Sequence, residues 1–290
     1  MTTRTPSRTK AKRVKMAKRG LSELFNVFVS LIIIIPLLFI LLNSFKDSAN
    51  ASKLTLNLDG VSLQNAVENY RFVFEKGNLV PSMMNSFIAV SFSSFFVILL
   101  SSMTAFIAAR RGTKGMKRMS NVIIAGLTLP GAMVTMYSLL YKIGLAGGNM
   151  SMIGAILLYI ATGIPFAFFL FLGYIKGVSS EIDEAAIIDG VSPPGLFFRI
   201  IMPLLIPVTV TVLIAEAMSV WNDFTVALYF LNDAKRSTAV LSTYLFKGIY
   251  STAWHYMFAD IILISLPIII LYVLLQKYFI GGLTAGAVKG

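Results

Sequence analysis

Residues 31–42 read LIIIIPLLFILL, twelve residues without a charged or hydrogen-bonding side chain. The apolar run around this stretch extends to about twenty residues, the length that an α-helix needs to cross the hydrocarbon core of a bilayer. The whole 290-residue chain has this character, since 57% of its residues are hydrophobic and only 13% are charged. Soluble domains carry about 25% charged residues, so the composition predicts an integral membrane protein.

Six stretches of the chain are long and apolar enough to cross a bilayer as helices. Each is a long, largely apolar run and lacks the alternation expected of membrane strands. The sequence therefore predicts an all-α integral membrane protein with six transmembrane helices, at about residues 21–43, 82–109, 120–141, 151–175, 204–231 and 256–280. We expect Pro130 and Pro165 to kink the third and fourth helices.

The segments between these helices are too short to form a separate soluble domain. We therefore divide the chain into a basic N-terminal segment, residues 1–20, and one helical membrane domain, residues 21–290, which contains a polar loop at 176–203.

Lysine and arginine are concentrated in two places, with eight in residues 1–20 and five in residues 110–118. Short loops rich in these residues stay in the cytoplasm. With six spans, residues 176–203 and the C-terminus lie on the same side as both basic segments. The sequence therefore predicts that the N-terminus, the loop at 176–203 and the C-terminus are cytoplasmic.

The basic N-terminus itself is best interpreted as an anchor on anionic lipid headgroups. A cleaved signal peptide is a weaker interpretation, because the apolar run that follows is longer than the 7–15 residues of a signal-peptide core. Nucleic-acid binding is weaker still, because no nucleic-acid-binding fold accompanies the charge.

The chain has no cysteine and a single histidine, His255. This composition excludes disulfides, thiol chemistry, cysteine-type metal sites and histidine-cluster metal sites. No G-x-x-x-x-G-K-[ST] loop is present to hold nucleotide phosphates, and GTKGMK at 112–117 lacks that spacing.

The most polar part of the membrane domain is EIDEAAIIDGVSPPGLFFRIIMP, residues 181–203, here called the acidic segment. Its first half predicts a short helix that Ser180 caps, with acids in the first turn and alanines after them. Gly190 suits the position after a helix end, where the backbone has positive φ. Ser192 and Pro193 suit the start of a second helix, and Pro203 its end.

A second set of residues in this segment suggests what it binds. We expect Leu196, Phe197, Ile200 and Ile201 to share one helix face, and Phe197 and Phe198 to present apolar surface. Helices that lie on membranes are usually basic, whereas this one is acidic. A groove on another protein is therefore the better partner.

The acidic segment resembles the cytoplasmic loop of ATP-binding-cassette importer permeases. That pattern is Glu-Ala-Ala, three residues, Gly, nine residues and Ile-x-Leu-Pro, and here Met202 stands in place of its Leu. SVWNDFTVALYF at 219–230 is similar to a Trp-Asn-Asp-Phe signature of carbohydrate-importer permeases. TGIPFAFFLF at 162–171 and GGLTAGAVKG at 281–290 resemble the smaller permease subunit of maltose-type importers, and the likeness covers residues 21–290.

The resemblance implies a bacterial cell-membrane permease without a cofactor of its own, because ATP and Mg would be bound by partner subunits. The implied partners are a homologous second permease, two ATPase subunits and an extracellular sugar-binding protein or lipoprotein, which would dock on residues 44–81 and 232–255. The tail at 281–290 would reach the ATPase pair. The residues implied in ATPase coupling are Glu184, Ala185, Ala186, Asp189, Gly190, Leu196, Phe197, Ile200 and Pro203.

Four polar residues in the fifth apolar stretch are candidates for a substrate pathway: Glu216, Ser219, Asn222 and Asp223. Glu216 falls near the middle of the bilayer, and Ser219 and Asp223 follow at helical spacing on the same face. Ionisable groups there are costly and are often functional. Two interpretations stay open, a polar wall that hydrogen-bonds sugar hydroxyls and a contact that joins helices.

Other functions remain to be weighed against a sugar permease. A permease for a non-sugar solute has the same motifs. A secondary transporter would have inverted repeats and more ion-binding groups at mid-membrane, which the sequence lacks. A membrane enzyme is disfavoured because no paired catalytic residues occur in the apolar stretches.

Overall fold

The computed structural model describes residues 8–129, 131–248 and 252–287, which are almost entirely helices and connecting turns. The chain divides into two compact units, one made of residues 1–72 and 248–262 and the other of residues 73–247 and 263–290.

The first unit contains the helices that begin and end the fold. They are α1 (Arg8–Ser44), α2 (Ser48–Ala51), most of α3 (Leu63–Lys76) and the start of α14 (Trp254–Ala287).

The second unit holds the helices of the middle of the chain, together with the remainder of α3 and α14. They are α4 (Leu79–Arg110), α5 (Lys114–Ala125), α6 (Met133–Lys142), α7 (Ser151–Ile175), α8 (Glu181–Ile188), α9 (Pro193–Gly195), α10 (Met202–Leu204), α11 (Ile206–Trp221), α12 (Thr225–Phe230) and α13 (Ala239–Ser242). Short 3₁₀ turns lie at Gly126–Thr128 and Thr243–Phe246.

Four helices are long and apolar enough to cross a membrane: Ser22–Ser44, Leu79–Arg110, Ser151–Ile175 and Trp254–Gln276. The number rises to six when two bent helix pairs each count as one span, Lys114–Thr128 with Met133–Lys142 and Pro193–Leu204 with Ile206–Trp221. The prediction of six continuous helices therefore needs correction at the third and fifth.

The bend in the fifth span lies between two prolines, Pro203 and Pro207, neither of which has an N–H to donate. The two helices of that pair meet at Leu205 with an angle of 77°. Pro207 follows at the start of α11, where its missing N–H leaves no bond unmade. Of the two predicted kinks, Pro165 lies inside the continuous helix α7, and Pro130 lies outside the described residues.

In the first unit, polar side chains form hydrogen bonds around the C-terminal end of α1. Asn69 donates from Nδ2 to the carbonyls of Ser44 and Lys46, both at 2.9 Å. Lys46 is fully buried, and its Nζ donates to the Thr55 carbonyl at 2.7 Å and to Asn57 Oδ1 at 3.0 Å. Burial lowers the pKa of the Lys46 ammonium, and the nearby Asp59 carboxylate opposes that shift.

The second unit is built around α4 and α7, which pack against each other more extensively than any other described pair. The side of α4 that is buried consists largely of small residues, which let helix backbones approach closely. They include Ser82, Ser86, Ala89, Ser93, Ser94, Ser101, Ser102 and Ala105. The matching face of α7 carries both small residues and large aromatic rings.

Two glycines of α7 differ in their surroundings and give a matched test of how closely the loop before α7 packs against that helix. A Cβ on Gly154 would lie 1.9 Å from the carbonyl oxygen of Leu145, whereas nothing lies within 4 Å of a Cβ on Gly173. We expect Gly154→Ala to lower the free energy of unfolding by about 1–3 kcal/mol, because backbone must move.

The control, Gly173→Ala, is expected to be neutral or to stabilise by up to about 1 kcal/mol, because alanine favours helix. Thermal unfolding of the purified proteins in detergent measures both. Equal thermal midpoints for the two variants would contradict the close contact between Gly154 and the Leu145 carbonyl.

Candidate functional site

The acidic segment begins with α8 and a tight turn. Ser180 makes no side-chain cap, contrary to the prediction, and the neighbouring Ser179 hydroxyl accepts from the Glu181 N–H at 3.3 Å instead. The prediction for Gly190 is confirmed, since its φ is +75°. The N–H groups of Gly190 and Val191 donate to the carbonyls of Ile187 and Ala186, each at 3.0 Å. This paired bonding is the Schellman motif, which ends α8 sharply.

The second helix of the segment is irregular. A six-residue π-helical turn, Leu196–Ile201, joins α9 to α10, where the sequence predicts an α-helix. Helical structure also continues past Pro203 to Leu204 instead of ending at the proline. Because Pro203 has no N–H, an α-helical bond to the carbonyl of Arg199 cannot form there.

One face of the acidic segment belongs to the core of the second unit. Ala186, Leu196 and Phe197 are buried, and they share one apolar cluster with Phe168 and Phe171 of α7. The prediction of exposed apolar surface is right for Phe198, which is 52% exposed, and wrong for Phe197, which is 5% exposed. The buried residues therefore attach the segment to the membrane helices.

The opposite face of the segment is open. It combines acidic side chains with two apolar ones, Ile187 at 62% and Ile188 at 85% exposed. These two were not among the predicted coupling residues, although Ile188 directly precedes the Asp-Gly that ends α8. Of the remaining predicted coupling residues, Ile200 is half-buried and five are exposed: Glu184, Ala185, Asp189, Gly190 and Pro203.

A second candidate site is a cavity of about 260 Å³ beside the end of α11. Its polar lining comes from five residues of α7 and of the chain from 219 onward: Tyr159, Thr162, Ser219, Asp223 and Thr225. Asp223 Oδ2 accepts from the Tyr159 hydroxyl at 3.1 Å and from the N–H groups of Val226 and Ala227 at 2.7 and 3.3 Å. Asp223 thus caps α12 and faces a space large enough for a small polar ligand.

The structure brings together only two of the four predicted pathway residues, Ser219 and Asp223. Asp223 does not continue the helical face of Glu216, because α11 ends at Trp221. Asn222 is exposed and donates to the Met218 carbonyl at 2.9 Å. Tyr159 and Thr162 were not among the predicted pathway residues, since a tyrosine in an apolar helix gives no signal of a partner 64 residues away, and the Thr162 hydroxyl donates only to carbonyls of its own helix.

Glu216 lies apart from this cavity, buried between α11 and α7. Its side chain is 7% exposed, and no described residue donates a hydrogen bond to its carboxylate. A Cβ on Gly163 would lie 2.6 Å from Glu216 Oε2. The absence of a side chain at Gly163 therefore makes room for the carboxyl group.

This contact predicts a coupling between the two positions. We expect Gly163→Ala to lower the thermal midpoint of the wild type, because the new methyl group displaces the carboxyl group. In a Glu216→Ala background, the same change is expected to lower the free energy of unfolding by at least about 0.5 kcal/mol less than it does in the wild type. Thermal unfolding of the two single variants and the double variant measures the difference, and additive effects would exclude the contact.

Side chains near the N-terminal end of α4 hold the loop that follows α12. Asn85 Nδ2 donates to the carbonyls of Lys235 and Ser237, both at 3.0 Å. The hydroxyls of Ser82 and Ser237 lie 2.9 Å apart, and the Ala239 N–H donates to Ser86 Oγ at 2.8 Å. This loop is part of the predicted docking region at 232–255, of which residues 249–251 lie outside the described residues.

Residues 8–129, 131–248 and 252–287 contain no cluster of three or more His, Asp or Glu side chains that could hold a metal ion. The predicted coupling tail at 281–290 is helical to Ala287, and its last three residues lie outside the described part of the chain.

Comparison with known proteins gives consistent matches. Residues 98–284 match the family described as binding-protein-dependent transport system inner membrane component. The chain is 33% identical to the melibiose/raffinose/stachyose import permease protein MelC of Bacillus subtilis (strain 168), over 88% of this chain and 91% of that protein. It is 31% identical to the probable starch degradation products transport system permease protein AmyC of Thermoanaerobacterium thermosulfurigenes, over 94% of this chain and 97% of that protein.

The fold matches a chain from the crystal structure of a bacterial ABC transporter involved in the import of the acidic polysaccharide alginate. The TM-score is 0.77 at 19% sequence identity, covering 96% of this chain and 100% of that chain. A chain from the alginate transporter in complex with a pentasaccharide-bound periplasmic protein matches with a TM-score of 0.62 at 16% identity, covering 92% and 95%.

Proposed function

The chain belongs to the family of binding-protein-dependent transport inner membrane components, and we propose that it is a permease subunit of an ATP-driven importer of a sugar or oligosaccharide. The named relatives are an import permease for melibiose, raffinose and stachyose and a probable permease for starch degradation products. A fold shared with a polysaccharide importer supports the same class of function.

The observation that carries the proposal is the two-faced acidic segment. Its inner face is packed into the membrane helices, and its outer face offers acids around Glu184 beside the exposed side chains of Ile187 and Ile188. A short helix with this composition suits a groove on a soluble protein. We therefore assign the outer face to an ATPase subunit.

The complete importer, in this proposal, has four kinds of subunit. This chain pairs with a homologous permease, two ATPase subunits bind ATP and Mg, and an extracellular binding protein delivers the sugar. The N-terminus, the acidic segment and the C-terminus lie in the cytoplasm, and residues 44–81 and 232–255 receive the binding protein. Closure of the ATPase pair on ATP rotates the permeases and opens the pathway outward.

The role of Ile188 in ATPase binding can be tested with a matched control. We expect Ile188→Asp to abolish co-purification of the ATPase subunits and ATP-driven uptake, because a charge replaces the most exposed apolar group of α8. Ile143→Asp introduces the same change at a similarly exposed isoleucine beyond the other end of α7. Normal ATPase binding in Ile188→Asp, or its loss in Ile143→Asp, would contradict the assignment.

The cavity beside Asp223 is the proposed place where this chain contacts sugar hydroxyls. We expect Tyr159→Phe to raise the sugar concentration for half-maximal uptake by about threefold to tenfold, the effect of one lost hydrogen bond. Tyr174→Phe removes a hydroxyl from the same helix but away from the cavity. Uptake assays with labelled sugar compare the two, and an equal response in both would remove the cavity from the pathway.

A permease for a non-sugar solute is the competing proposal. Uptake measured with a panel of labelled oligosaccharides and unrelated solutes decides between them. The chain purified alone should hydrolyse no ATP, and robust hydrolysis would contradict a subunit that depends on a separate ATPase.

A further inference from the structure

The last residue of α4 forms a largely buried ion pair with the first turn of α8. Arg110 Nε lies 2.5 Å from Asp183 Oδ2, and Arg110 Nη2 lies 3.3 Å from Oδ1. The two residues are 73 positions apart in the sequence, and only about a tenth to a fifth of each side chain is accessible. Because Nε and Nη2 each face a different oxygen of the carboxylate, the contact fixes orientation as well as distance.

Arg110 also holds the chain that leads into α8. Its Nη1 donates to the Val178 carbonyl at 3.1 Å, and its Nη2 approaches the Ser179 carbonyl at 3.4 Å. One guanidinium therefore joins α4 to the helix α8 and to the loop before it. Lysine could not make this set of contacts, because its single ammonium lacks the planar fork.

Phe106, one turn earlier in α4, extends the link to the second half of the acidic segment. Its ring lies 5.9 Å from the Arg110 guanidinium carbon and 5.8 Å from the Phe197 ring. The last two turns of α4 thus contact both short structures of the segment, α8 and the π-helical turn.

Stability alone is a poor reason for such an ion pair. Removing two charges from water is costly, and well-packed apolar residues often stabilise a buried position as well or better. What the pair adds is a directed link between α8 and α4, which in turn packs along α7. We propose that Arg110 and Asp183 are positioning residues that make α8 and the end of α4 move as one body when the ATPase subunits close. This inference rests on the proposed function.

The first experiment separates transport from ATP hydrolysis in the assembled importer, reconstituted in lipid vesicles with its partners. We expect Arg110→Gln or Asp183→Asn to lower the sugar transported per ATP hydrolysed by about tenfold, within the range of couplings between distant sites. The double variant should be no worse than either single one, because both remove the same contact. Arg111→Gln, at the exposed next residue, should keep the wild-type ratio.

Three results of this experiment would overturn the inference: a wild-type ratio in Asp183→Asn, additive losses in the double variant, or an equal loss in Arg111→Gln. A loss of hydrolysis and uptake in the same proportion also leaves the ratio unchanged, and so counts against the link.

A second experiment needs no disruptive variant. The chain has no cysteine, so cysteines introduced at the exposed positions Ile107 and Glu181 carry spin labels at unique sites. In the assembled wild-type complex, we expect the same label-to-label distance without nucleotide and with ATP bound. A distance that changes between these states would show that α4 and α8 move separately.

The two experiments distinguish this inference from the proposed function. If the wild-type complex takes up no sugar with ATP, the proposed substrate fails. The distance measurement requires only the chain and the ATPase subunits, so it still decides whether α4 and α8 move together.

Discussion

The absence of water in the hydrocarbon core is the constraint on which the rest of the structure depends. A backbone N–H or carbonyl in that region must find a partner within the protein. Long helices meet this demand internally, and breaks between helices need side chains as substitutes. Where α11 ends, Asp223 accepts hydrogen bonds from the N–H groups of Val226 and Ala227. The cavity beside Asp223 therefore lies where one helix ends and another begins, and its lining includes the side chain that satisfies the N–H groups freed by the break.

The same absence of water explains the composition of α4. Inside lipid, apolar surface gives helices little reason to associate, so close contact and hydrogen bonds must hold them together. The serines of α4 allow that contact with α7, and those near its first turns also hold the loop at 234–239. Serine thus serves two purposes in α4: it allows close packing along the helix, and it forms hydrogen bonds with the loop at one end.

Sequence-based prediction succeeds for those features that depend on local composition. The apolar runs, the acids of α8 and the positive φ of Gly190 follow from residues close together in the chain. It failed where a distant partner decides the outcome. Phe197 is inside because α7 offers Phe168 and Phe171 as neighbours, and α11 stops at Trp221 because Asp223 can cap a new helix with support from Tyr159. Likewise, the sequence shows Arg110 only as one of five basic residues at 110–118, and the fold is needed to show that Asp183 lies beside it.

Helix α4 is fastened at both of its ends, by Asn85 and its serine neighbours to one loop and by Arg110 to the acidic segment. Between these attachments it is a single unbroken helix of 32 residues, about 48 Å long. A helix resists stretching far more than a chain of side-chain contacts does. In the proposed importer, a displacement at one end of α4 would therefore reach the other end as the movement of one rigid body, without a relay of rearranging residues.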